Sequence, residues 1–245
     1  MPITLLTEKF DAMQQAKSEK ELQCEMERFA KETGFDLFTY ALRIAAPSLT
    51  PKEFLLSGFP AAWVERYLKR GYFAVDPVVR HCQKSAIPVL WDESMSDGGS
   101  DGGSDAQYWE EARSFGLRTG LSFAVHEQPG MVGIFSLARD QGLQLQGAEL
   151  DALIGRAQVF ASLLHHAIVR IHLPRLIPEA STPLTPRERE CLKWAADGKT
   201  AWEIGQILGI TERTAIFHIN NVIHKLGALN KTQAIVRAMA LKLIY

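Results

Sequence analysis

Trp63 and Tyr67 stand four residues apart, a spacing that puts both on one face of a helix, and Asp76-Pro77, Trp91 and Trp109 follow along the same stretch. Aromatic rings supply apolar walls with indole and phenol donors, and an aspartate supplies a strong acceptor. A carboxylate among apolar neighbours needs donors, and the polar groups of a bound ligand are one source of them. These residue types describe a small-molecule pocket with aromatic walls and a few convergent polar groups. A purely structural account also fits, in which the rings are core and Asp76 caps a turn before Pro77.

A second set of candidates lies near the C-terminus. Ala215, Ile219, Val222, Ile223 and Leu226 recur at three- and four-residue spacing and form a buried stripe, which turns Arg213, Ile216, Phe217, Asn220 and Asn221 outward. Such a face suits a DNA major groove: Asn220 could pair bidentately with adenine, whereas Ile216 offers only apolar contact, for example to a thymine methyl. Lys199, Thr200 and Arg213 sit at helix starts, where amide groups and the dipole favour phosphate.

The elements that must position this second set are marked by helix-start signals. Thr185-Pro186-Arg187-Glu188, Thr200-Ala201-Trp202-Glu203 and Asn230-Lys231-Thr232-Gln233 read as capping boxes, and Thr211 as a plain N-cap. Gly198, Gly209 and Gly227 each follow an apolar-periodic run, where a residue with positive φ ends a helix cheaply. Four short helices follow, and the middle pair has a helix-turn-helix layout: 201–208, with Ile204, Ile207 and Leu208 on one face, a turn at Gly209-Ile210, then 212–226. From Thr185 onward there are nine Lys and Arg against five Asp and Glu, while the preceding 184 residues hold 18 against 23. The excess of positive charge lies where DNA would be, although an ordinary small bundle could carry as much.

The elements around the first set read as an antiparallel sheet with helices on both sides. A helical pattern with Phe10, Met13, Leu22, Met26 and Phe29 ends at Gly34, and Phe35 to Ile44 reads as a strand. Glu53 to Phe59 leads into a helix opened by Pro60 and closed by Gly71. Leu121–His126 pairs with Met131–Ala138 across Gln128-Pro129-Gly130, and a helix from about Ala148 to Ile171 closes the domain. Residues 173–183 hold three prolines, which forbids a continuous helix and favours an extended connector. The tandem Asp-Gly-Gly-Ser repeat at 97–105 has the composition of a flexible loop and lacks calcium-loop spacing. The fold class expected is α+β: an N-terminal α-β-α sandwich at 1–172, the connector at 173–183, and an all-α four-helix helix-turn-helix domain at 184–245.

The chain has 245 residues, 47% hydrophobic and 22% charged, with net charge −1, which argues against indiscriminate binding to nucleic acid or membrane. No stretch approaches about 18–20 consecutive apolar residues, and Glu8 and Asp11 stand where a signal peptide would be basic and apolar, so a cytoplasmic protein with no membrane partner is expected. Cys24, Cys82 and Cys191 lie far apart, which indicates neither a disulfide framework nor a zinc cluster, and His165-His166 read as helix surface.

Leu184 to Glu190, Trp194, Gly198-Lys199-Thr200, Glu203-Ile204, Thr211-Glu212-Arg213-Thr214 and Phe217-His218 closely resemble the DNA-binding domain of LuxR-type quorum-sensing regulators. Pro60-Ala61-Ala62-Trp63, Tyr67, Tyr72, Val75 to Val78, Leu90-Trp91, Trp109 to Ala112, Gly116-Leu117, Gly120 and Phe135-Ser136-Leu137 resemble the acyl-homoserine-lactone domain of the same family. The two matches span nearly the whole chain.

The resemblance implies roles. Trp63 would donate to the lactone carbonyl, Asp76 would accept from the amide N–H, Tyr67 and Ser136 would donate to the amide carbonyl, and Trp91 would pack against the lactone ring. Phe59, Val78, Trp109 and Leu117 would belong to the same lining. Phe59 stands where several relatives have Tyr, and Ser122 could reach a 3-substituent through water. Leu42, Phe54, Phe123 and Val125 are candidates for the acyl channel. The protein implied is a transcription factor, not an enzyme, that needs no cofactor. It binds an N-acyl-homoserine lactone and, as a homodimer, a two-fold symmetric double-stranded DNA site, with RNA polymerase a further candidate partner.

Three other readings compete with this one. A phosphorylated receiver domain would need an early acidic cluster and βα alternation; neither occurs. A lactone hydrolase using Asp76 or Ser136 would need a metal motif or nucleophile elbow, and the sequence has neither. A sensor of another apolar ligand, or one that has lost its ligand, stays open, as does activation against repression.

Overall fold

Alternation along β1 (Leu37–Ile44) sets the layers of the first unit. Phe38, Tyr40, Leu42 and Ile44 are buried while Leu37, Thr39, Ala41 and Arg43 are half-buried, the two-residue period of a strand whose faces meet different surroundings. The structure, a computed structural model, describes residues 3–45, 51–92, 104–128, 130–176 and 183–244. The Asp-Gly-Gly-Ser repeat as far as Gly103, Pro129 of the hairpin turn and 177–182 of the connector lie outside the described residues.

With β2 (Lys52–Ser57), β3 (Val89–Trp91), β4 (Thr119–Gln128) and β5 (Met131–Arg139), β1 forms a five-stranded antiparallel sheet ordered β2-β1-β5-β4-β3. One face carries Tyr40, Phe123 and Phe135. Against it lie α2 (Glu19–Glu32), which follows α1 (Ile3–Gln15), and α6 (Ala148–Leu176). Phe29 stacks on Phe160 at 4.0 Å, with Phe135 at 6.2 and 5.3 Å from those rings, and Tyr40 Oη lies 2.6 Å from His165 Nδ1. His165 is therefore a core residue rather than helix surface. Gly133 makes this approach feasible, because a Cβ there would meet both His165 Nδ1 and Tyr40 Oη. The opposite face, with Trp91, Ala124, Ile134 and Ala138, is covered by α3 (Ala61–Arg70), the 3₁₀ turn Tyr72–Ala74, α4 (Pro77–Lys84) and α5 (Ser104–Ser114). The sheet with helices on both faces is the α-β-α arrangement expected.

Several boundaries differ from expectation. The single N-terminal helical pattern is two helices, because Ser18 caps α2: its Oγ accepts from Glu21 N–H while Glu21 Oε2 accepts from Lys17 N–H. Phe10 is 45% exposed and does not join the buried stripe. α6 runs to Leu176, through Pro174, so the segment expected as connector from 173 begins as helix; a proline this close to a helix end removes a single hydrogen bond. Among the described residues α6 is also the one helix long and apolar enough to cross a membrane, and Phe160, Ala161, Leu164 and Ile168 account for that composition by filling the core.

The C-terminal module consists of α7 (Pro186–Ala196), α8 (Ala201–Leu208), α9 (Glu212–Lys225) and α10 (Lys231–Ala240). Thr185/Glu188 and Thr200/Glu203 form full capping boxes, and Thr211 caps α9 alone. The third box is only half closed: Asn230 accepts from Gln233 N–H, but the Gln233 carbonyl takes the N–H of Leu229, one residue upstream. Gly209 holds φ 64 at the α8–α9 turn. Ile204, Ala215 and Ile219 form one core and Leu192, Val222, Leu226 and Ala234 another, while Ile207, expected inside, is 45% exposed. By its contacts the chain divides into one unit of Met1–Arg43, Glu53–His126 and Val132–Val169, and a second of Ile44–Lys52, Glu127–Met131 and Arg170–Tyr245.

Candidate functional site

The amphipathic helix α3 points Trp63 inward at 3% exposure and, one turn on, Tyr67 beside it, with ring centroids 5.8 Å apart. Gly71 ends α3 in the left-handed conformation, and the 3₁₀ turn then brings the chain to Asp76 at the start of α4. Asp76 uses its two oxygens differently. Oδ1 accepts from the N–H groups of Val78 (2.8 Å) and Val79 (3.2 Å), as an N-cap before Pro77 should. Oδ2 accepts from the hydroxyls of Tyr67 and Tyr108, both at 2.9 Å. Oδ1 thus serves the turn before Pro77, while Oδ2 is held by two phenols whose side chains line the cavity described below.

Asp76 is 5% exposed, and burial raises its pKa, opposed by the donors of Tyr67, Tyr108, Val79 and Val78. Burial and the nearby carboxylate push the Tyr67 and Tyr108 phenols well above their usual range, so both remain donors.

Strand parity supplies the rest of the wall. Trp91 pairs with Gly120 across β3–β4, its indole Nε1 donates to Ser122 Oγ at 3.0 Å, and Ser122 Oγ lies 2.7 Å from Ser136 Oγ on β5. These groups surround a cavity of about 350 Å³ inside the first unit. Trp63, Tyr67, Asp76, Trp91, Ser136, Phe59, Val78, Trp109, Leu117 and Ser122, the ten ligand candidates read from sequence, all line it. Leu42 and Phe54 border it too. Phe123 and Val125 do not: in a strand, residues beside Ser122 and Ala124 face the other way, and Phe123 packs near Phe135 at 6.3 Å. The Ser122 hydroxyl is bonded to Trp91 and Ser136.

Sequence reasoning missed Tyr108, the second phenol on Asp76. It adjoins Trp109 in α5, whose start lay hidden behind the repeat, and no local pattern marked it. Also missed were Arg43 and Glu53, 3.9 Å apart on the cavity wall, with the Arg43 guanidinium 5.3 Å from the centroid of the Phe73 ring. Cys82 is buried beside the cavity and burial, then Asp76, pushes its thiol up to about 12, which makes it inert.

In the C-terminal module Arg213, Ile216, Phe217 and Asn220 are exposed on α9, and Asn221 and Lys199 are half-buried. Ile216 and Phe217, 44% and 59% exposed, are adjacent apolar side chains on the open surface of α9. Thr200 is exposed, but its amide and hydroxyl both donate to Glu203 Oε2 at 2.8 Å, so neither is free for phosphate.

Residues 18–168 match the model of the autoinducer binding domain, and residues 182–238 that of the luxR family of bacterial regulatory proteins. Relatives include the transcriptional activator protein SolR of Ralstonia nicotianae, 38% identical over 235 residues that cover 96% of this chain and 97% of SolR. The HTH-type quorum-sensing regulator RhlR of Pseudomonas aeruginosa is 35% identical over 221 residues, covering 89% and 88%. Among solved structures, Escherichia coli SdiA matches with a TM-score of 0.82 at 28% identity, covering 99% of both chains. SdiA in complex with octanoyl-rac-glycerol matches at 0.80 and 28%, covering 98% of this chain and 95% of that one.

Proposed function

Because the chain belongs to the LuxR family of autoinducer-binding transcriptional regulators, we propose that its autoinducer is an N-acyl-homoserine lactone held in the sheet-unit cavity. As a homodimer it would then bind a two-fold symmetric promoter site through α9. The observation that carries the ligand reading is the buried carboxylate of Asp76, with one oxygen committed to the backbone and the other turned toward phenols in an apolar void. That oxygen can accept the amide N–H. Tyr67, released from Asp76, and Ser136 donate to the amide carbonyl, Trp63 donates to the lactone carbonyl, and the Trp91 ring packs against the lactone. Phe59, Val78, Trp109 and Leu117 complete the apolar wall. A neutral ligand with two carbonyls and one N–H needs this set, and each polar atom left unmatched costs about 1–3 kcal/mol.

The DNA reading rests on the exposed face of α9, with Arg213, Ile216, Phe217, Asn220 and Asn221 toward bases and Lys199 and Arg213 toward phosphates; Thr200 contributes by capping α8. Two modules on a two-fold site multiply an affinity that either alone, with its small positive excess, leaves weak. The protein would act in the cytoplasm, where RNA polymerase and its promoters are.

Replacing Asp76 by Asn tests the ligand reading: the variant should lose its lactone response in a reporter strain while the C-terminal module keeps its far-UV helical signal. A full response in D76N would defeat it. Mass analysis of small molecules extracted from the purified protein separates the ligand classes. The acylglycerol found with SdiA shares the acyl carbonyl but lacks the N–H that Asp76 would accept.

A further inference from the structure

We infer that Trp91 and Ser122 form a one-way donor chain that turns the Ser136 hydroxyl proton into the cavity, which makes Ser122 a positioning residue for ligand recognition. The inference rests on the reading of the cavity as the ligand site. Trp91 lies over Gly120, where a Cβ would meet the indole ring and the Leu137 carbonyl, and so reaches the hydroxyl two residues along the same face of β4. An indole N–H only donates, so Ser122 Oγ is the acceptor in that bond.

The bond between Ser122 and Ser136, at 2.7 Å, could run either way by geometry alone. Ser122 is fully buried, and among the described residues its hydroxyl bonds only Trp91 and Ser136. Were Ser136 the donor, both bonds would bring protons to Ser122 and its own proton would be buried without an acceptor, the costlier arrangement. Ser122 therefore donates to Ser136. Ser136, which lines the cavity, is left with its proton free to point inward. The ligand atom facing Ser136 must then be an acceptor, and Ser122, although it also borders the cavity, acts through Ser136 because its own proton is already donated.

The test titrates the full-length protein, by quenching of its tryptophan fluorescence, with N-octanoyl-homoserine lactone and with the thioamide in which sulfur, a poorer acceptor, replaces the amide oxygen. The wild type should prefer the oxygen compound by about tenfold, and S122A should lower that preference several-fold, the remainder coming from Tyr67 on the same carbonyl. A loss through packing alone would weaken both probes equally and leave the preference intact, which would overturn the inference. S136A should lower the preference at least as far, and S122A added to it should change nothing further. If S122A does not fold, S122C carries the same comparison with a weaker donor in nearly the same volume. A wild type that binds neither probe would instead sink the ligand reading, and the inference with it.

Discussion

Asp76 divides its work between its two oxygens, and Tyr108 is the residue that completes the division. Two backbone amides and two phenols hold the carboxylate, which explains how a charge this deeply buried is tolerated. Tyr108→Phe should therefore lower the stability of the ligand-free protein by about 1–3 kcal/mol in urea unfolding, the cost of an unmade bond to a buried carboxylate. An unchanged midpoint would show that Tyr108 is not compensating Asp76. The raised pKa of Asp76 has a sign that can be checked. A folded value above the unfolded one, near 3.9, means that stability is fully present below that pH and lost as pH rises toward the folded value. The stability of the wild type relative to D76N should accordingly decline as pH rises through this window, and removing a donor in Y108F should extend the decline upward. A difference that does not vary with pH would refute this.

The helices of the C-terminal module show how one local signal serves two ends. Glu188 closes the capping box on Thr185 N–H at 2.8 Å, and the same oxygen accepts from Lys225 Nζ of α9 at 2.7 Å, so the start of α7 is tied to the end of the outward-facing helix. Its pKa is lowered: burial pushes it up, but the Lys225 bond and charge with the Thr185 bonds outweigh that. The stabilisation is present above the ordinary glutamate value, about 4.3, and is lost as pH falls through the lower folded value. Lys225→Met should cost the module about 1–3 kcal/mol near neutral pH, with the gap to wild type closing on acidification. A gap that persists in acid would mean that the lysine acts through packing. Along α9, the exposed Ile216 predicts a thymine preference at one operator position. For a duplex selected from a random library, deoxyuridine in place of that thymine should weaken wild-type binding several-fold and leave I216A indifferent. Equal losses in both proteins would remove Ile216 from base readout.

At the scale of the molecule, a ligand that fills a core cavity becomes part of the core. Lactone at a hundredfold its Kd should add about 2.7 kcal/mol, a rise in Tm of roughly 5–10 °C, and coincident melting curves with and without ligand would contradict the pocket reading. The sequence alone determined whatever depends on neighbours three or four residues apart or on alternation: the caps at Thr185, Thr200 and Thr211, the positive-φ glycines, the buried stripe of α9, the strand β1 and the β4–β5 hairpin, and the residue types of the pocket wall. These were legible because capping, helical periodicity and strand parity act locally. Where such a signal was overlooked, at Ser18 or in placing Phe123 and Val125 beside Ser122, the information was still present in the spacing. Tertiary structure alone decided that Tyr108 meets Asp76, that Tyr40 meets His165 over Gly133, and that Trp91, Ser122 and Ser136 join hands. Each of these meetings links elements distant in sequence, and their positions follow from how sheet and helices close over the cavity, which no short window of residues encodes.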